Sequence, residues 1–133
     1  MKLDKEELIR LVKIEAEKLK QFTTENERSK LNFEKINADE RHRCIYGQMT
    51  NDCFSPRSIE LIEKCASKMY EINGKYKYLH SGTIPTDTVI RCQGSFSPIE
   101  IFISFNQFGK GKKINNKVLI DYLKGITDTL EFV

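Results

Sequence analysis

Residues 40–56 read ERHRCIYGQMTNDCFSP, and they contain the strongest local signals for the fold of this chain. Ser55 followed by Pro56 is a clear helix start, because serine can accept a hydrogen bond from a first-turn amide and proline is well suited to the first helical position. Apolar residues then repeat at helical spacing as far as Asn73-Gly74, which predicts a central helix over 56–72. Gly47 and Asn51-Asp52 indicate turns before that helix.

The residues before this stretch predict a long N-terminal helix. Asp4 and Glu7 have the spacing of a capping box, and Thr23-Thr24 is the predicted end. Apolar side chains recur between these limits at steps of three and four residues, at Leu8, Leu11, Val12, Ala16, Leu19 and Phe22. Such a helix either lies on the core or forms half of a helical hairpin or dimer seam, and the small number of large residues favours the first interpretation.

Residues 24–39 are polar and fit either a second short helix or a packed loop, and they are the natural place for a hinge or linker. Further on, we predict strands over 75–79, 88–92 and 99–105, with a loop over 80–87. The third strand is ambiguous: Ser97, Pro98 and Glu100 resemble a helix start, whereas the β-branched and aromatic run after them favours strand. Asn116 is expected to cap a last short helix that Gly125 ends, and a tail over 127–133 can add a terminal strand.

The predicted fold class is therefore α+β. Residues 1–133 are expected to form a single domain with a helical part over about 1–72 and a mixed part over about 73–133. In that fold, the long N-terminal helix, the central helix and the short C-terminal helix pack on a small antiparallel sheet.

Composition limits the kind of protein this is. Apolar residues make up 39% and charged residues 31% of the 133 residues, which is typical of a soluble globule. There is no long apolar run and no apolar segment near the N-terminus, so we expect no membrane partner and a cytoplasmic location. The net charge is +3, and residues 41–133 carry 13 basic and 9 acidic side chains, a balance of +4 that permits an anionic partner.

The cysteines are expected to be reduced and mostly buried, because nothing indicates secretion. A zinc site would have to use His42, Cys44, Cys53 and Cys65, but structural zinc sites place their ligands in close pairs two to four residues apart. Here one residue separates His42 from Cys44, and eight separate Cys44 from Cys53. We therefore predict no metal and no cofactor.

A nucleophilic cysteine is a second interpretation of the same residues. Cys44 follows two nearby arginines and lies near His42, and Cys53 precedes a predicted helix start; both settings lower a thiol pKa. His42 could act as the base and Asp52 could orient it. Residues 109–113 lack the hydroxyl residue that a phosphate-binding P-loop requires after its lysine, so nucleotide hydrolysis is not indicated. Paired acids for hydrolysis are not indicated either.

A nucleic-acid surface is the third interpretation. Lysines and tyrosines alternate over 75–78, which is the chemistry that follows a phosphate backbone and stacks bases. An edge strand also uses lysine and tyrosine in this way, so the pattern has a purely structural explanation too. The candidate binding residues are Arg41, Arg43, Arg57, Lys75, Tyr76, Lys77, Tyr78, Lys110, Lys112 and Lys113.

The leading prediction is a small non-enzymatic protein that docks on a larger protein or protein–nucleic-acid complex and modulates it. Phage or mobile-element inhibitors of host machinery, including defence systems, are proteins of this kind. One alternative is a direct RNA- or DNA-binding module that uses the Lys/Tyr strand and the basic loop. A second alternative is a Cys-His enzyme centred on His42 and Cys44.

Overall fold

The structure is a computed structural model that describes residues 2–66, 68–72, 83–89, 96–107 and 113–132. Helices dominate these residues, and three short strands accompany them. In chain order the elements are β1 (Lys2–Asp4), α1 (Lys5–Phe22), α2 (Glu25–Ser29), a 3₁₀ turn (Phe33–Lys35), α3 (Ile45–Thr50), α4 (Pro56–Cys65), β2 (Met69–Ile72), β3 (Thr83–Val89), α5 (Pro98–Gln107) and α6 (Lys113–Leu123). The molecule is therefore a small, mostly helical protein.

The predicted N-terminal helix is confirmed as α1. Asp4 caps it by accepting a hydrogen bond of 2.8 Å from the amide of Glu7, and Thr23 follows its last residue. The predicted apolar face is buried from Leu8 to Leu19, whereas Phe22 at its end is 39% exposed. Because α1 contacts α4, α5 and α6, it is the helix around which the core is built.

The helices pack mainly on one another rather than on a sheet, which corrects the predicted arrangement. The three strands are antiparallel in the order β1-β3-β2, with Leu3 opposite Ile84 and Tyr70 opposite Thr88. The largest fully buried side chains, each less than 2% exposed, come mostly from helices. They are Tyr46, Leu19, Leu31, Ile45, Met49, Leu61, Ile99, Ile101, Ile103, Leu119, Ile120 and Leu123.

The central helix starts where predicted but is shorter than predicted. Ser55 accepts a hydrogen bond from the amide of Ser58, and Pro56 is the first helical residue. The helix ends at Cys65 rather than at residue 72, and Met69–Ile72 form β2. Tyr70 is buried while Glu71 is exposed, which is the alternation expected of a strand. The backbone of Tyr70 also pairs with that of Phe96. Residues 69–72 therefore form a strand because they pair with residues much later in the chain.

The prediction of a strand over 99–105 is wrong, because these residues belong to α5. Ser97 accepts a hydrogen bond of 3.4 Å from the amide of Glu100, with Pro98 at the helix start. The four residues Ile99, Ile101, Phe102 and Ile103 are all at most 4% exposed, because α5 lies between α1 and α6. A helix buried on every side has no amphipathic period, so its apolar run looks like a strand in the sequence.

The other predicted elements at the C-terminal end had mixed outcomes. The strand predicted over 88–92 is shifted, since β3 covers Thr83–Val89 and so includes much of the predicted loop over 80–87. The last helix, α6, starts at Lys113, and Asn116 is buried inside it rather than capping it. Gly125 has a φ of +78° just after the helix, as predicted for its stop. Residues 127–132 form no strand, and the predicted strand over 75–79 lies outside the described residues.

Candidate functional site

The stretch from residue 40 to 54 folds into a closed turn around α3. The carbonyl of Glu40 accepts a hydrogen bond of 2.9 Å from the amide of Cys44, and the carbonyl of Arg41 accepts one of 2.8 Å from the amide of Cys53. The prediction of a turn at Gly47 is wrong, because Gly47 lies inside α3. A Cβ atom there would lie 2.0 Å from the carbonyl oxygen of Arg41, so only glycine allows this turn to lie against the helix.

Two arginines of the candidate set hold this region together. Arg41 donates hydrogen bonds of 3.0 and 2.5 Å to the carboxylate of Asp52, and its guanidinium lies 4.7 Å above the Phe54 ring. Hydrogen bonds from Arg41 and from the amide of Phe54 hold the pKa of Asp52 down at about 2. Asn51, with a φ of +75°, supplies the predicted turn at the end of α3.

Arg57 joins three helices. Its guanidinium donates two hydrogen bonds of 2.9 Å to Glu27, one of 2.6 Å to Glu60 and one of 3.0 Å to the carbonyl of Phe22. Glu27 also closes a capping box with Thr24 at the start of α2. The hydrogen bonds from Arg57 lower the pKa of Glu27 to about 2. The 24–39 segment, predicted as a short helix or loop and as a possible hinge, is therefore tied to α1 and α4.

Two exposed aromatic side chains lie along α4: Phe54 comes just before its start, and the Phe22 ring lies near Lys64, close to its end. Phe22 is 39% and Phe54 is 45% exposed. Arg57, three residues after Phe54, bonds the Phe22 backbone, and the ammonium of Lys64 lies 5.7 Å from the Phe22 ring. We call this surface the Phe22–Phe54 face, and it consists of Phe22, Arg41, Phe54, Arg57 and Lys64.

A shallow pocket of about 300 Å³ lies beside α3, and we call it the basic pocket. Its lining has no acidic residue and consists of Lys30, Asn32, Lys35, His42, Arg43, Gly47, Gln48 and Asn51. Arg43 is paired with Glu40 at 3.0 Å, and Nδ1 of His42 lies 2.7 Å from the carbonyl of Asn51. Lys30 and Lys35 are exposed. An anionic group is the ligand that this lining suits.

The structure describes only four of the ten predicted binding residues. Arg41, Arg43 and Arg57 are each paired with a carboxylate, and Lys113 is an exposed residue at the start of α6. The remaining six, Lys75, Tyr76, Lys77, Tyr78, Lys110 and Lys112, lie outside the described residues. Sequence reasoning missed Lys30 and Lys35. Their isolated positions gave no signal, because they reach Arg43 only through the tertiary structure, in which Asn32 and Gln48 bond each other across 16 residues of sequence.

The cysteines are arranged differently from the proposed Cys-His pair. Cys44 caps α3, with its sulfur accepting a hydrogen bond of 3.3 Å from the amide of Gly47, and His42 bonds Asn51 instead. The thiols of Cys44 and Cys53 are close enough for each to change the pKa of the other. This contact raises the pKa of Cys44 and lowers the pKa of Cys53 to about 7. Cys53 is half-buried, so it is the thiol with the greater nucleophilic character.

Buried polar groups surround this pair. Glu100 on α5 is 5% exposed and faces the first amides of α3, those of Ile45 and Tyr46, without a hydrogen bond of ordinary geometry. Burial, with the charges of Cys53 and Glu15 nearby, raises the pKa of Glu100 well above 4.5. The buried hydroxyl of Ser58 lies beside the Cys53 thiol.

Within the described part of the chain, no group of three or more His, Cys, Asp or Glu side chains is arranged to hold a metal ion. None of the helices described has the length and apolar character needed to cross a bilayer. No family model, no curated protein and no solved structure matches this chain.

Proposed function

We propose that this chain is a small non-enzymatic binding protein that docks on a larger protein or protein–nucleic-acid complex through the Phe22–Phe54 face. The observation that supports the proposal most directly is the composition of that face. Aromatic and arginine side chains often provide much of the energy in protein–protein interfaces. Here two phenylalanines are exposed, the guanidinium of Arg41 lies over the ring of Phe54, and that of Arg57 bonds the backbone of Phe22.

The arginines of this face are also held in place before any partner arrives. The carboxylate of Asp52 accepts two hydrogen bonds from the guanidinium of Arg41, and that of Glu27 accepts two from the guanidinium of Arg57. Ordering a long side chain at an interface costs about 0.5–1.5 kcal/mol. Because these two side chains are already ordered, docking would lose less entropy than at a surface of free lysines.

Modulation of the bound partner is part of the same proposal. A small protein without a cofactor can change a larger machine by covering a surface that the machine needs. Inhibition of host defence machinery on behalf of a phage or mobile element is one such role. The proposal places the protein in the cytoplasm and assigns it no membrane partner.

The test is an affinity pull-down of the tagged chain from lysate of its own host, with half of the lysate treated with nuclease. We expect one protein to be recovered in both halves, to be retained at high salt, and to be lost with the Phe22→Ala/Phe54→Ala variant. Ile126→Ala is the matched control, because Ile126 is 68% exposed but lies after α6. Circular dichroism should show that both variants are folded.

Two results would contradict docking through this face. One is recovery of the same protein with the double alanine variant, and the other is equal loss with Ile126→Ala. Recovery that disappears after nuclease treatment would instead support the second candidate function.

That second candidate is direct RNA or DNA binding, and the basic pocket is the observation that favours it. Lys30, Lys35 and Arg43 line it without an acid among the lining residues. Binding to a labelled single-stranded oligonucleotide should weaken with salt, since released counterions drive such affinity. The Lys30→Glu/Lys35→Glu variant should bind at least tenfold more weakly. Lys75→Glu/Lys112→Glu tests the surface predicted from the sequence, and unchanged binding by both variants would exclude this function.

A further inference from the structure

Cys44 and Cys53 are brought together by one turn of the chain. Their amides bond the neighbouring carbonyls of Glu40 and Arg41, at 2.9 and 2.8 Å, so both backbones are fixed to the same short segment. Cys44 begins α3, and Cys53 lies in the turn before α4. The Cys44 sulfur also accepts a hydrogen bond of 3.3 Å from the amide of Gly47, which lies against the same Arg41 carbonyl that Cys53 bonds. The two thiols are therefore neighbours, and both cysteines are free.

The surroundings of this thiol pair are unusual for a core. Both carboxyl oxygens of Glu100 are buried and lack a hydrogen-bond partner of ordinary geometry among the described residues, and so does the hydroxyl of Ser58. Buried polar atoms are almost always satisfied, so an unsatisfied cluster calls for an explanation. These groups adjoin the two thiols. These buried polar groups therefore indicate a chemical role for the two thiols rather than a purely structural one.

We propose that Cys44 and Cys53 are a site of reversible oxidation, at which an intramolecular disulfide joins the start of α3 to the turn before α4. Neither zinc binding nor a Cys-His pair is needed to explain the two residues. The co-reactant is a low-molecular-weight disulfide such as glutathione disulfide.

The first step belongs to Cys53, which is half-buried, whereas Cys44 is 3% exposed. The neighbouring Cys44 thiol favours the Cys53 thiolate most, and the Ser58 hydroxyl and Arg41 favour it further, against burial and the charge of Asp52. Burial raises the pKa of Glu100, which disfavours a negative charge beside the thiols. The thiolate attacks one sulfur of the small disulfide, forms a mixed disulfide and releases one thiolate.

The second step belongs to Cys44. Its sulfur attacks the sulfur of Cys53 in the mixed disulfide, its proton goes to the departing small thiolate, and the second small thiol is released. Two protein thiols are thus oxidised to one disulfide, and one small disulfide is reduced to two thiols. Excess reduced thiol reverses both steps.

The experiment exposes the purified full chain to glutathione buffers of increasing oxidised fraction, followed by intact mass and peptide mapping after acid quench. We expect the loss of two hydrogens, a mapped Cys44–Cys53 bond, and recovery of the starting mass with excess reduced glutathione. Cys65→Ser is the matched control and should behave like the wild type, because Cys65 is buried on α4 and burial raises its pKa to about 11.

Two single variants separate the steps. Cys44→Ser keeps a good helix cap, so it should fold, and it should stop at a glutathione adduct on Cys53. Cys53→Ser should leave Cys44 unmodified. The proposal is overturned if the folded wild type forms no Cys44–Cys53 bond at any buffer composition. It is equally overturned if mapping finds the bond at Cys65 or Cys92, or if a stable adduct accumulates on wild-type Cys53.

Discussion

The hydroxyl of Tyr46 on α3 donates a hydrogen bond of 2.5 Å to Oε2 of Glu15 on α1, and both residues are at most 1% exposed. The other carboxyl oxygen of Glu15 accepts a bond of 3.0 Å from the amide of Ile99 at the start of α5. One buried carboxyl group therefore connects three helices. Burial raises its pKa, in opposition to the hydrogen bonds that it accepts.

Tyr46→Phe should lower the free energy of unfolding by about 1–3 kcal/mol, because it leaves a buried oxygen of Glu15 without its donor while preserving the ring. Urea unfolding followed by circular dichroism measures this. Tyr122→Phe is the control and should change little, since Tyr122 is half-buried and its ring, which lies 4.1 Å below the ammonium of Lys20, is kept. Equal effects of the two variants would contradict the role of the Glu15 contact.

Glu100→Gln should make stability less dependent on pH above about 5. The folded chain holds the Glu100 proton, whereas the unfolded chain releases it near the ordinary pKa of 4.5. The stability contributed by this raised pKa is complete below 4.5 and is lost as the pH rises towards the folded value. One proton corresponds to about 1.4 kcal/mol per pH unit. Urea unfolding from pH 5 to 8 should show a shallower decline for the variant than for the wild type.

The groups that face Glu100 are Cys53, Glu15 and the first amides of α3. Glu15 also has a raised pKa, so part of the decline should persist in Glu100→Gln. Parallel pH profiles for the variant and the wild type would show that Glu100 is ionised in the folded state.

The contact between Glu27 and Arg57 should stabilise the chain above pH 4.5 and fail at lower pH. The folded pKa of Glu27 is lowered to about 2, so its contribution is lost as the pH falls from 4.5 towards 2. Glu27→Gln should reduce this acid-induced loss, measured as thermal midpoints between pH 2 and 5. Glu25→Gln, at an exposed position of α2, should leave the loss unchanged. The low pKa of Asp52 adds a similar loss in every variant.

Arg57→Ala removes the other partner of that contact. We expect a cost of about 1–2 kcal/mol at pH 7, less than for buried charged hydrogen bonds because the side chain is 37% exposed. The control is Arg10→Ala, whose partner Glu7 lies one turn away on α1. It should change the free energy of unfolding far less than Arg57→Ala does, because the Arg10–Glu7 pair is exposed to solvent. Similar losses for both variants would mean that Arg57 does not join the helices.

Gly47→Ala should be far more damaging than Gly125→Ala. The new methyl group would meet the Arg41 carbonyl at 2.0 Å, which forces the turn away from α3 and should cost about 3 kcal/mol or more. At Gly125 no atom lies within 4 Å, and only the φ of +78° penalises alanine, by about 1–2 kcal/mol. Thermal unfolding of both variants provides the comparison. A mild effect at Gly47 would show that the turn can move freely.

Residues of the candidate site differed in how far they could be predicted. Arg41, Arg43 and Arg57 were found by their charge, but their partners were not, because Glu27 lies 30 residues from Arg57. Cys53 was recognised as lying before a helix start, which is correct. Its contact with Cys44 was not predicted, since it depends on a turn that brings Arg41 and Cys53 together.

The sequence by itself determined the elements whose signals lie within one or two helical turns. Asp4 with Glu7 and the apolar face of α1, the Ser55-Pro56 start of α4, and the Gly125 stop are such signals, because caps and amphipathic faces involve residues at most four apart. Only the tertiary structure decided that 98–107 is helical. Burial between α1 and α6 outweighed the strand preference of its side chains, and Glu15 bonds Ile99 across 84 residues of sequence.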